Sequence, residues 1–113
     1  MKVVKTPEDG KKFIDYEIDG DFLSFNDGEL AINLKKKERD YPVHFDICRD
    51  WEQGLVMGTT KGTRAYIAQI DIPARQYEYV EGKEKNEDGE YTLEQKPVPF
   101  SMDNVTLTLW EEV

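Results

Sequence analysis

No apolar stretch in this chain runs far before a turn former cuts it, and most stretches alternate apolar with polar residues. Asp19-Gly20 separates Phe13–Ile18 from Phe22–Phe25, and a glycine there supplies the positive φ that a two-residue hairpin turn requires. Asn26-Asp27-Gly28 leads into Glu29–Leu34, where Leu30, Ile32 and Leu34 share a face at period two. The pattern predicts three meandering strands. A competing reading makes Thr6 to Ile18 partly helical, with Thr6 as N-cap, Pro7 at the first helical position and Phe13, Ile14, Glu17 and Ile18 on a stripe. Gly10 and the short run before Asp19 weigh against it.

Further along, Tyr41–Cys48 alternates so that Tyr41, Val43, Phe45 and Ile47 face the core while His44, Asp46 and Cys48 face the other way. Leu55–Met57 is a short apolar stretch cut by Gly58, and Arg64–Ile72 reads as the clearest long strand, with Tyr66, Ala68, Ile70 and Ile72 aligned. Pro73 donates no ladder hydrogen bond, so the chain bends or reaches an edge there. Arg75–Val80 pairs with Tyr91–Leu93 across a polar loop, and Asn104–Trp110 is a last strand with Val105, Leu107 and Leu109 inward. About eight short strands with no long helix give an all-β expectation: an antiparallel meander closed as a small barrel or stacked as a two-sheet sandwich, with room for one short helical turn. Residues 1–113 make a single domain by size, and the stretch at about 81–96, rich in Glu and Lys and poor in apolar residues, is expected to protrude as an acidic polar hairpin.

The chain carries 24 acidic and 15 basic residues, a net charge of −9. Such a surface repels phosphate backbones and anionic lipid heads, so neither direct nucleic-acid binding nor membrane binding is expected. With one cysteine, no secretory leader pattern and no apolar stretch of spanning length, a reducing cytoplasm is the expected location.

His44 is the sole histidine and Cys48 the sole cysteine, and both lie in one strand. His44 and Asp46 form a His-x-Asp pair that a facial-triad metal site would use, but that site needs a second histidine. Four strand residues span about 13 Å, which separates Cys48 from His44 too far for one tetrahedral ion or a thiolate–imidazole dyad. No metal, no cofactor and no catalytic residue are therefore expected, with His44 and Asp46 as the weak alternative. No phosphate-binding loop, dinucleotide fingerprint, nucleophile elbow or EF-hand loop is present.

Aromatic residues make up 12% of the chain, and Trp51, Trp110, Tyr77 and Tyr79 sit beside charged neighbours or opposite the apolar face of their strand. Partly exposed aromatics anchor partners, whereas a two-sided core would bury them. The leading expectation is a non-catalytic interaction module whose acidic surface docks a protein carrying a basic patch. A small-ligand-binding β-barrel lined by Tyr and Trp is the alternative, followed by a carboxylate- or metal-dependent enzyme using His44 and Asp46.

Overall fold

A computed structural model describes residues 1–112. Ten strands run in the order β1 (Lys2–Thr6), β2 (Tyr16–Asp19), β3 (Phe22–Phe25), β4 (Leu30–Asn33), β5 (Val43–Asp50), β6 (Gly54–Met57), β7 (Thr63–Ile72), β8 (Tyr77–Lys85), β9 (Tyr91–Pro97) and β10 (Thr106–Trp110). The helical content is two 3-10 turns, Lys35–Lys37 and Met102–Asn104. The protein is all-β, and among the described residues no helix is long and apolar enough to cross a membrane.

The strands form three sheets: a five-stranded sheet in the order β1-β10-β7-β5-β6, the β2-β3-β4 meander, and the β8-β9 hairpin. All pairings are antiparallel except that of β1 with β10. The larger sheet does not close into a barrel; its outermost strands are β1 and β6. Its inner face contributes Ile47, Ala68, Ile70, Ile72, Leu107 and Leu109 to one continuous core, and the meander covers that face with Leu23, Phe25, Ile32 and Leu34. Of the two architectures expected, the core is that of two stacked sheets, built from period-two alternation on both sides.

Several expectations are corrected. The strand expected from Phe13 begins only at Tyr16, and the competing helix, against which Gly10 weighs, does not form; Gly10 closes a turn on the Pro7 carbonyl, and Ile14 is buried. β1 pairs in parallel with β10, a contact between the two ends of the chain that no local pattern announces. Tyr41 precedes β5 and is exposed rather than inward. β5 is an interior strand of the larger sheet. Tyr66 is also exposed, because the β5–β7 register jumps from Ile47 opposite Ala68 to Cys48 opposite Tyr66. The extra residue of this bulge, Ile67, turns inward in place of Tyr66.

The β8-β9 hairpin stands apart from both sheets, and the molecule measures 66 × 30 × 21 Å. Every side chain of β9 is exposed, and along β8 only Val80 and Gly82 are not. Packing therefore holds the two sheets together, while the hairpin rests on its own ladder. Leu107→Ala should cost about 2–5 kcal/mol, the usual range for emptying a fully buried leucine site. Leu93→Ala on the hairpin should change stability by no more than about 0.5 kcal/mol. Urea unfolding of both variants checks this, and a large loss for Leu93→Ala would mean that the hairpin is part of the core.

Candidate functional site

The register of β5 on β7 places His44 opposite Asp71 and Asp46 opposite Gln69. That of β7 on β10 adds Thr106 beside Asp71 and Thr108 beside Gln69. Cross-strand partners share a face, so these polar residues converge on the outer face of the larger sheet. His44 Nδ1 lies 2.6 Å from Asp71 Oδ1 and Nε2 lies 2.9 Å from Asp46 Oδ1. The Gln69 amide donates to the same Asp46 oxygen at 3.0 Å, and the Trp110 indole N–H donates to Gln69 Oε1 at 3.1 Å. The result is a continuous chain, Asp71–His44–Asp46–Gln69–Trp110, across three strands.

An imidazole donates from both nitrogens only when it is protonated. Hydrogen bonds to Asp71 first and Asp46 second accordingly raise the His44 pKa, against the opposing effect of burial. The Gln69 amide, then His44, holds Asp46 below the usual carboxylate range. The chain is thus a charged clamp between neighbouring strands. A depression of about 260 Å³ opens beside it, lined by Pro42, Val43, His44, Asp71, Ile72 and Pro73 among others.

The same geometry bears on the metal and nucleophile alternative. Asp46 and Asp71 occupy opposite nitrogens of one ring, so the three side chains do not converge on a single point. Among the described residues, no group of three or more His, Cys, Asp or Glu side chains is placed to hold a metal ion. Cys48 is fully buried between its register partners Tyr66 and Val56. Burial, and then the Asp46 charge, push its thiol pKa up, which suppresses the thiolate.

The aromatic candidates are dispersed. Trp51 sits on the β5–β6 turn, 71% exposed, with the Arg64 guanidinium 4.4 Å from the ring centroid. Beneath it, Asp50 accepts from the Thr60 hydroxyl and from the backbone N–H of Glu52 and Gln53, bonds that keep its pKa low and shape the turn. Trp110 is 37% exposed and tethered to Gln69. Tyr77 and Tyr79 are both on β8. The Tyr77 hydroxyl donates to Asp40, and Arg75 pairs with Glu38 at 3.3 Å and Asp40 at 3.1 Å, pinning the base of the hairpin to the 38–40 loop. Tyr79 stands further out, 68% exposed, and Leu93 lies across the ladder on the same face, 70% exposed.

Sequence reasoning missed Asp71, Gln69 and Leu93. The first two follow only from the β5–β7 register. For Leu93, the alternation of β9 was a usable signal once that strand was paired with Tyr77–Glu81.

The clamp implies a pH dependence with a definite sign. A raised folded-state pKa means that His44 contributes fully below its unfolded value, about 6.5, and that the contribution disappears as pH rises through the raised value. Asp46 behaves oppositely: its contribution is present above about 3.9 and fades as pH falls through its depressed value. His44→Ala should therefore destabilise most between about pH 4 and 6.5, by less than about 1 kcal/mol because the side chain is 47% exposed, and least in alkaline solution. Denaturation of both proteins across pH tests this; a penalty that grows with pH would reverse the assignment.

Comparison with known proteins brings no match: no family model fits the chain, and neither a curated protein nor a solved structure matches it.

Proposed function

We propose that this protein is a non-catalytic docking module whose β8-β9 arm binds a protein partner carrying a basic patch beside an apolar one. The observation that carries this reading is the bare face of the arm, where Tyr79 and Leu93 are 68% and 70% exposed on a hairpin that no other sheet covers. An isolated two-stranded hairpin is marginal in water, and large apolar side chains on it gain by being covered. Aromatic residues at such positions are favoured anchors.

Charge narrows the partner. From Tyr77 to Pro97 the arm holds seven carboxylates, Glu78, Glu81, Glu84, Glu87, Asp88, Glu90 and Glu94, against Lys83, Lys85 and Lys96. A net charge of −9 on the whole chain reinforces that field. Such a surface steers basic proteins toward it and turns phosphate backbones away. A reducing cytoplasm suits a single buried thiol.

The alternatives have less support. A ligand-holding barrel would need an enclosed apolar cavity, whereas the depressions here are open and one of the largest, about 440 Å³, is lined by Asp15, Tyr16, Glu17 and Asp27. An enzyme built on His44 would need a free ring nitrogen, and both are engaged by carboxylates.

The test compares partner capture by the tagged protein, by Tyr79→Ser/Leu93→Ser and by His44→Ala. The expected outcome is that a basic protein co-purifies with the wild type and with His44→Ala, is lost with the arm variant, and dissociates as salt rises. Undiminished capture by the arm variant, or selective loss with His44→Ala, would sink the reading.

A further inference from the structure

We propose that the outer edge of β8, along Tyr77–Glu81, is a template for strand addition, and that its occupant is an extended segment of a basic partner with alternating basic and apolar residues. This rests on the docking reading above and specifies how the partner is held.

The backbone of the arm supplies the first reason. The Val98 N–H donates to the Gln76 carbonyl at 2.8 Å, and the register continues with Glu78 opposite Lys96 and Val80 opposite Glu94. In an antiparallel ladder hydrogen-bonded and non-hydrogen-bonded pairs alternate. Gln76, Glu78 and Val80 therefore turn their backbone groups toward β9, while those of Tyr77, Tyr79 and Glu81 point outward. Among the described residues nothing accepts from these three N–H groups. The opposite edge is weaker, because Pro97, the register partner of Tyr77, has no N–H to offer.

The protein already uses this edge once. The Arg75 N–H, two residues before Tyr77 and on the same outward side, donates to the Arg39 carbonyl at 2.7 Å. The 38–40 loop thus lies along the start of the edge, held by Arg75 and Tyr77, and the edge continues uncovered past Tyr77. A strand entering there extends a contact the fold has begun.

Side-chain alternation then selects the occupant. Tyr77, Tyr79, Glu81, Leu93 and Gln95 line one face of the arm, and Glu78, Val80, Glu94 and Lys96 line the other. An added strand presents successive side chains to the two faces in turn, so apolar residues meet the Tyr79 side and basic residues meet Glu78. A second copy of this chain is disfavoured as occupant, because it would bring a further seven carboxylates to the same arm.

The test uses a short synthetic peptide of alternating Lys and Val on the full-length protein, with backbone amide exchange as the readout. Strand addition predicts protection at the Tyr77, Tyr79 and Glu81 amides on peptide binding. Glu81→Pro removes an outward N–H without touching the hairpin ladder and should bind about tenfold or more weakly than Glu81→Ala, which loses the same carboxylate but keeps the N–H. Methylating alternate amides of the peptide, with its side chains kept, provides a second arm that does not depend on how the variant folds, and should weaken binding similarly. Glu81→Pro binding as well as Glu81→Ala, with undiminished binding of the methylated peptide, would overturn strand addition while leaving the docking reading intact. Absence of protection at these three amides with the peptide, or concentration-dependent protection without it, would also overturn the proposal, the latter by making a second copy the occupant. The docking reading itself falls only if the arm variant still captures its partner.

Discussion

The pairing of β5 with β7, and above all the first of its two register shifts, the bulge at Ile47/Cys48, is the constraint on which the rest of the structure depends. These are the long strands of the larger sheet, and their register decides which residues meet. Before the bulge, Phe45, Ile47, Ala68 and Ile70 face the meander, and His44, Asp46, Gln69 and Asp71 face outward. After it, Ile67 takes the inward place and Tyr66 turns out beside Cys48. A register slip of one residue would send the charged clamp into the core and the isoleucines to solvent, at a cost no local gain could offset. The bulge confines its phase change to the far end of the strands, where the Asp50 turn begins.

Open sheets must also deal with their edges, and three of the edges here are treated differently. On β6, the Leu55 N–H donates to Glu29 Oε2 at 2.8 Å, and Asn26 Nδ2 donates to Glu29 Oε1 at 2.6 Å. These bonds hold the Glu29 pKa below its ordinary value, led by the Leu55 bond, and they tie the meander to the edge of the larger sheet. A carboxylate on an edge N–H blocks further pairing there. At the base of the arm the 38–40 loop does the same for Arg75, and on β9 Pro97 removes a donor altogether. Past Tyr77 the outer edge of β8 carries no such protection.

How much of this was legible in the sequence follows from the range of the contacts. The meander, β10 and the hairpin turns are local, and Gly20 and Gly28 adopt positive φ as their turns require. Asn26 and Asp27 do so too, which short polar side chains tolerate. Leu107 and Leu109 face inward as their alternation implies. β1 was not legible, since Val3 and Val4 among lysines make no distinctive pattern and their partner lies at the other end of the chain. Tyr66 misled because a bulge leaves no mark in a simple period-two reading. His44 and Asp46 were visible as a pair, but Asp71 and Gln69 join them only through register. Trp51, Trp110, Tyr77 and Tyr79 were legible as aromatics out of place; the tether of Trp110 to Gln69 and the bond of Tyr77 to Asp40 were not.

The body and the arm differ in what they leave unanswered. Among the described residues no buried side-chain nitrogen or oxygen lacks a partner, and the one histidine has both nitrogens engaged. The body therefore leaves none of its buried side-chain polar groups unpaired among the described residues. The arm keeps Tyr79 and Leu93 bare. Covering both completely would gain roughly 3–6 kcal/mol, and association alone consumes about 4 kcal/mol or more. Apolar contact by itself would leave a partner barely bound. In the proposed docking, binding through the arm would need additional free energy from its carboxylates and from backbone groups not yet paired, so charge and strand edge would have to act together.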